Sequence, residues 1–86
     1  MPTFKAEINV MPLKALLDPQ GKAVTASMGN IHLSEIKNVR IGKHISLEVD
    51  APNQEVAHKK VEEACKKLLA NPIMEFFEFT LEETTN

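Results

Sequence analysis

Apolar and polar residues alternate near the start of the chain, where Phe4, Ala6, Ile8 and Val10 are interleaved with Lys5, Glu7 and Asn9. A period of two predicts a strand with one buried face. Met11-Pro12-Leu13 ends it. The same rhythm returns late in the chain, where Phe77, Phe79 and Leu81 alternate with Glu78, Thr80 and Glu82. This last strand begins near Glu75 and puts Phe76 on the opposite face, a position that can mark a contact. Glu83-Thr84-Thr85-Asn86 reads as a frayed tail.

Between the strands the period changes. Ala57, Val61, Ala64, Cys65 and Leu68 fall at spacings of four, three, one and three, the buried stripe of a helix. Asn53 can cap this helix, and Glu55 sits in its positively polarised first turn. Lys59, Lys60, Glu62, Glu63, Lys66 and Lys67 occupy the other sides, and Glu62–Lys66 and Glu63–Lys67 are favourable i,i+4 pairs. Asn71 can adopt the left-handed conformation after the last turn, and Pro72 forbids continuation. An earlier helix is expected from about Pro19 to Met28. Asp18 can accept from the free N–H groups of its first turn, and Pro19 suits the first helical position. Val24, Ser27, Met28 and Ile31 share one side, and Gly29-Asn30 offers a left-handed stop. Gly21 weakens helix propensity where it stands, so bare backbone is needed there.

The middle of the chain admits more than one reading. Val39, Ile41, Ile45, Leu47 and Val49 are all odd-numbered. A two-residue hairpin at Gly42-Lys43 would send Val39 and Ile41 to the face opposite Ile45 and Leu47. Two alternatives keep the apolar set together: a three-residue loop, Gly42-Lys43-His44, or a single strand from about Lys37 to Asp50 bent at Gly42. The long strand is favoured, since its overhang would leave unpaired backbone that invites another chain. The expected fold is therefore α+β over residues 1–86, a small antiparallel sheet with two helices packed on one face. It contains either one long bent central strand or the ferredoxin-like strand-helix-strand-strand-helix-strand order.

Composition narrows the classes. Eighty-six residues make one domain, and a chain this short often gains stability by associating. The 43% hydrophobic content argues against disorder. A net charge of −2 offers no steering toward nucleic acid or acidic lipid. A lone cysteine, Cys65, excludes an internal disulfide, and no apolar run approaches a bilayer span. The alternating N-terminus lacks a signal-peptide core, so a soluble cytoplasmic protein is expected.

Catalytic constellations are missing. His32, His44 and His58 stand apart, none at ligand spacing with another His or Cys, and read as ordinary surface or loop histidines. Cys65 falls on a core stripe, where a thiol is inert. Gly21, Gly29 and Gly42 are too scattered for a phosphate loop. An anion at Gln20-Gly21-Lys22 is possible chemistry, but a plain helix start is the simpler reading. The strand aromatics neighbour acidic residues, which disfavours RNA binding. No catalytic, cofactor or metal residue is assigned.

Three segments, Leu17-Asp18-Pro19-Gln20-Gly21-Lys22-Ala23-Val24, Val39-Arg40-Ile41-Gly42-Lys43 and Leu68-Leu69-Ala70-Asn71-Pro72-Ile73, together resemble the PurS family. Its members are the small subunits of bacterial and archaeal phosphoribosylformylglycinamidine synthase. The resemblance covers nearly the whole chain, with segment order and spacing matched. The Met11–Lys14 and Ser27–His32 stretches fit less regularly and leave the end of the first helix open. The resemblance implies a homodimer or tetramer that joins the ATP-dependent synthetase subunit to the glutaminase subunit and carries no catalytic group. By analogy, Asp18, Gln20, Gly21, Lys22, Arg40, Gly42 and Lys43 are candidate partner contacts. The alternative for Arg40 and Lys43 is that Gly42 bends a strand and both cations are solvated. The alternative class is a dimeric small-molecule-binding regulatory module of similar fold; a stand-alone enzyme lacks support.

Overall fold

The computed structural model describes residues 1–14 and 18–84. Leu17, at the head of the first candidate segment, lies outside the described residues, as do Thr85 and Asn86 of the expected tail. Strand β1 (Thr3–Pro12) is flanked by β2 (Lys43–Asp50) and β3 (Glu75–Glu83), both antiparallel, in the order β2-β1-β3. With helices α1 (Pro19–Ser27) and α2 (Gln54–Ala64), the described chain runs strand-helix-strand-helix-strand, an α+β fold as its patterning predicts.

Register decides the core. Ile8 stands opposite Ile45 and Phe79, and Ala6 opposite Leu47 and Leu81, so each row presents apolar side chains on one face. α2 lies over that face. Val61 and Cys65 are buried with Ala6, Ile8 and Val10, while Ala57 joins Phe4 and Ala51 in a second cluster. The small Ala6 and Ala57, both fully buried, allow the helix to approach the central strand. One helix covers the apolar face of β1 but leaves Ile45, Leu47, Phe77 and Phe79 half-buried.

The end of α2 departs from the expected stripe. The chain passes into a π turn over Cys65–Leu69, closed by Ala70 N–H donating to the Cys65 carbonyl at 2.9 Å. The extra residue in that turn brings Leu69 onto the core and leaves Leu68 82% exposed. Asn71 is not the left-handed stop, since only His32 and Asn38 among described non-glycine residues have positive φ. Ala70 breaks the helix in extended conformation, and Asn71 Oδ1 then accepts from Ile73 N–H at 3.1 Å to turn the chain toward β3.

The first helix runs as expected, but its left-handed stop falls elsewhere. A 3-10 turn over Met28–Ile31 follows α1, and His32, at φ 63°, takes the left-handed position in place of Gly29 or Asn30. Leu33 N–H donates to Met28 and His32 N–H to Gly29, the paired closure that satisfies the last carbonyls of a helix.

The middle segment forms neither a hairpin nor a long strand. β2 begins at Lys43, and residues 37–42 lie off the sheet. Continuing the register that pairs Val10 with Lys43 would place Ile41 opposite Pro12, which has no N–H to donate. The Val39 and Ile41 amides instead donate to side chains of α1 and its cap. Gly42 gives clearance rather than a bend: a β-carbon there would run into the Val10 carbonyl and Met11 Sδ, and its φ is not positive. At the other end, Glu83 pairs in β3, and Thr84 donates to the Thr3 carbonyl through N–H (2.9 Å) and Oγ1 (3.1 Å), so the chain is held to Thr84 rather than frayed.

The molecule is elongated, 52 × 29 × 14 Å. Its radius of gyration of 16.8 Å exceeds the roughly 12 Å of a compact domain this long. Residues 18–42 form an arm in which α1 packs on the 3-10 turn, and Arg40 ties it to the Pro12 end of β1.

The π turn makes a sharp prediction. Leu68→Ala is expected to shift stability by no more than about 0.5 kcal/mol. Leu69→Ala should cost about 2 kcal/mol or more, because Leu69 packs against the core. Denaturant midpoints of the two variants check this, and equal midpoints would contradict the turn. Val61→Asp should abolish the cooperative transition seen by circular dichroism, since it puts an unpaired carboxylate at a position 1% exposed.

Candidate functional site

The arm is built on polar contacts. Among its described residues only Gly21 is buried. Val24 and Met28 are half-buried and Ile31 is 60% exposed, so the apolar side of α1 does not become core. What joins the arm's two legs is Asp18. Its Oδ1 accepts from Gly21 N–H and its Oδ2 from Ile41 N–H, each at 3.0 Å. Thr25 makes a second crossing: its hydroxyl donates to the Gly21 carbonyl (2.8 Å) and accepts from Val39 N–H (3.0 Å). Gly21 permits this closeness, since a β-carbon there would meet the Val39 carbonyl and sit 2.5 Å from Asp18 Oδ2. The bare backbone expected at position 21 therefore has a physical reason.

Arg40 fastens the arm to the sheet. Its Nη2 donates to the Pro12 and Leu13 carbonyls at 3.0 and 2.8 Å, and Nη1 to Lys14 at 3.3 Å. These carbonyls lie at and just beyond the end of β1. Nε is buried 3.5 Å from Asp18 Oδ2, in ion-pair contact but without a hydrogen bond. The Gly21 and Ile41 amides, then the Arg40 charge, hold the Asp18 carboxyl below its ordinary value. The anion position at this helix start is thus filled by the chain's own carboxylate.

The seven sequence-selected residues converge on one region but take different parts. Asp18, Gly21 and Arg40 make the internal junction just described, and Gly42 clears β1. Gln20, Lys22 and Lys43 are exposed around it. A cleft of about 330 Å³ opens beside the junction, where Pro12, Asp18, Gln20 and Ile41 face Asn71 and Glu75. Residues from all three segments that carry the family resemblance line this cleft. Thr25 and the Pro12–Lys14 carbonyls escaped sequence reasoning, because a hydroxyl within a helix and a backbone oxygen carry no periodic signal.

A second cluster lies on the open sheet face. His44 Nδ1 is 2.7 Å from Asn9 Oδ1 and its Nε2 is 2.5 Å from Glu7 Oε2, while Ser46 donates to Glu7 Oε1 at 3.0 Å. The His44 and Ser46 hydrogen bonds hold the Glu7 carboxyl below the usual range. Only the β1–β2 register, which pairs Asn9 with His44, brings these residues together. His58 instead packs at a tilt of 44° against Phe79, with ring centroids 4.8 Å apart. Burial, then the Glu62 charge, pushes the Cys65 thiol up. No group of three or more His, Cys, Asp or Glu among the described residues is placed to hold a metal ion. No described helix is long and apolar enough to cross a membrane.

Fold and site define a small α+β protein with an elongated arm and a polar junction where the arm meets the sheet. A sequence model of the PurS family of phosphoribosylformylglycinamidine (FGAM) synthase matches residues 5–83. The chain belongs to the PurS family, the small subunits of this enzyme of purine biosynthesis. It is 38% identical to the PurS subunit of Thermotoga maritima over 78 residues, covering 91% of this chain and 95% of that one. Against the PurS subunit of Bacillus subtilis it is 34% identical over 80 residues, 93% and 94% of the two chains. A crystal structure of B. subtilis PurS superposes with a TM-score of 0.83, at 34% identity over 93% and 99% of the chains. The PurS-like chain in a structure of PurLQS from T. maritima gives 0.81, at 37% identity over 98% and 100%.

The Asp18 carboxyl titrates below its unfolded value, so its stabilising contribution is full above that value and lost as pH falls through the lowered one. Exchange protection of the Ile41 amide is therefore expected to persist from neutral pH to about pH 4 and to fail below it. Asp18→Asn should remove this acid step, and an unchanged pH profile would contradict the assignment. Gly21→Ala should cost about 1–3 kcal/mol of local stability through overpacking. Hydrogen exchange should show the loss at Val39 and Ile41 while α2 is unaffected.

Proposed function

We propose that this chain is the non-catalytic assembly subunit of a phosphoribosylformylglycinamidine synthase complex, working in the cytoplasm as a single PurS-like domain over residues 1–86. It bridges the ATP-dependent synthetase and the glutaminase so that ammonia released by one reaches the other. The observation that carries this reading is the near-complete match to a chain in the T. maritima PurLQS structure. The residues agree with it, because a connector needs a firm body and contact surfaces, not a reactive cleft. Tethering turns the second encounter into an intramolecular one, with gains of about a hundredfold or more where the geometry fits.

Self-association belongs to the same reading. Both edges of the described sheet present unpaired backbone, and the apolar side of α1 around Val24, Met28 and Ile31 lacks a cover. A homodimer or tetramer supplies what a single copy lacks. Of the candidate contacts, Gln20, Lys22 and Lys43 meet partner surface, Asp18, Gly21 and Gly42 shape the backbone that presents them, and Arg40 ties the arm to the sheet.

Capture of the cognate synthetase and glutaminase by the tagged chain, with glutamine and ADP present, tests the proposal. Recovery of both is expected, with sedimentation of the free chain as a dimer or tetramer. A lone monomer that captures neither would overturn it. A thermal shift with one amino acid or nucleotide alone would point to the regulatory-module alternative. Lys22→Glu with Lys43→Glu should weaken capture severalfold, most strongly at low salt, because exposed interface charges act largely through the association rate.

A further inference from the structure

The proposed bridge requires its contact surfaces to stay at a fixed angle, and among the arm's described residues only Gly21 is buried. Across the junction between the arm and the sheet lies the Arg40 side chain. Its guanidinium donates to the Pro12, Leu13 and Lys14 carbonyls and lies 3.5 Å from Asp18, which in turn holds both legs of the arm. Arginine presents a planar fork of donors that can meet several oxygens at once; a lysine ammonium acts as a single point charge. Arg40 is itself only 28% exposed at its side chain, and its Nη1 and Nη2 donors are directed inward to these carbonyls.

We infer that Arg40 is a positioning residue: it fixes the angle between the arm and the sheet body, and so the register in which glutaminase and synthetase are held. This rests on the bridging function proposed above. Arg40 then acts without touching substrate, and its loss leaves each partner's chemistry intact while the transfer between them leaks ammonia. The same contacts explain why a cation selected as a partner contact is turned away from solvent.

The test separates geometry from function. Spin labels on Ser27→Cys in the arm and Lys59→Cys on α2 report the arm-to-body distance, with labelled chains diluted in unlabelled ones; Cys65 is buried and does not compete. In the reconstituted complex, the parent chain should give a narrow distance distribution and nearly one amidine formed per glutamine hydrolysed. Arg40→Met should broaden the distribution at least twofold and lower the yield per glutamine at least threefold. Capture of each partner alone and the unfolding midpoint of α2 should stay near parent values. Arg40→Lys, which keeps the charge but not the fork, should fall between the two. An unchanged distance distribution, an unchanged yield per glutamine, or loss of capture of either partner alone would overturn the inference. If the parent chain captures neither partner, the bridging function itself fails, and the distance measurement alone still decides the angle.

Discussion

Asp18 divides its carboxylate between two parts of the chain that are distant in sequence. One oxygen holds the Gly21 amide at the start of α1, and the other holds the Ile41 amide on the returning leg. Many residues can cap a helix, but few can do so while also accepting from a second segment and facing a guanidinium. The rest of the arm follows from that arrangement. Position 21 must lack a β-carbon, the chain must leave the sheet before reaching Pro12, and Arg40 must turn inward toward the β1 terminus. Hydrogen bonds to a charged group are stronger than those between neutral groups, so a few of them can order a segment without a core of its own.

The body of the molecule is held by a different force. β1 is covered on both flanks by strands and on one face by α2, and its apolar residues Ala6, Ile8 and Val10 are fully buried. Burial of this kind is insensitive to pH and direction, whereas the arm's polar contacts depend on geometry and on the charge of Asp18. Segments with few buried apolar contacts sit at the low end of local stability, where binding surfaces are usually found. One molecule therefore combines a packed body with an arm whose shape is set by donors and acceptors.

That combination agrees with the assembly role proposed above. The described residues bring together no metal-binding set, the cysteine thiol is buried, and the helix start that could receive an anion is already occupied by Asp18. The described surface includes bare strand edge, the uncovered side of α1, and exposed Gln20, Lys22 and Lys43 around a cleft. Membership of the PurS family gives these features a setting in purine synthesis.

Much of this was legible in the amino-acid order. The alternation of Phe4, Ala6, Ile8 and Val10 and the spacing of Ala57, Val61 and Cys65 reflect periods that the backbone imposes locally. Asp18 and Asn53 cap the helices that follow them, and the need for bare backbone at Gly21 was visible as a misfit with helix propensity. Three kinds of fact were decided only by tertiary structure. The π turn moved Leu69 inward and Leu68 outward, a rotation that depends on how α2 meets the sheet. The β1–β2 register joined His44 to Glu7 and Asn9, and the end of that pairing at Val10 sent residues 37–42 to α1. Arg40 found its partners among backbone carbonyls, which are identical at every position in the chain. A sequence encodes periodicity and local caps because these involve neighbours a few residues apart; which distant oxygen a side chain meets is settled only when the whole chain has folded.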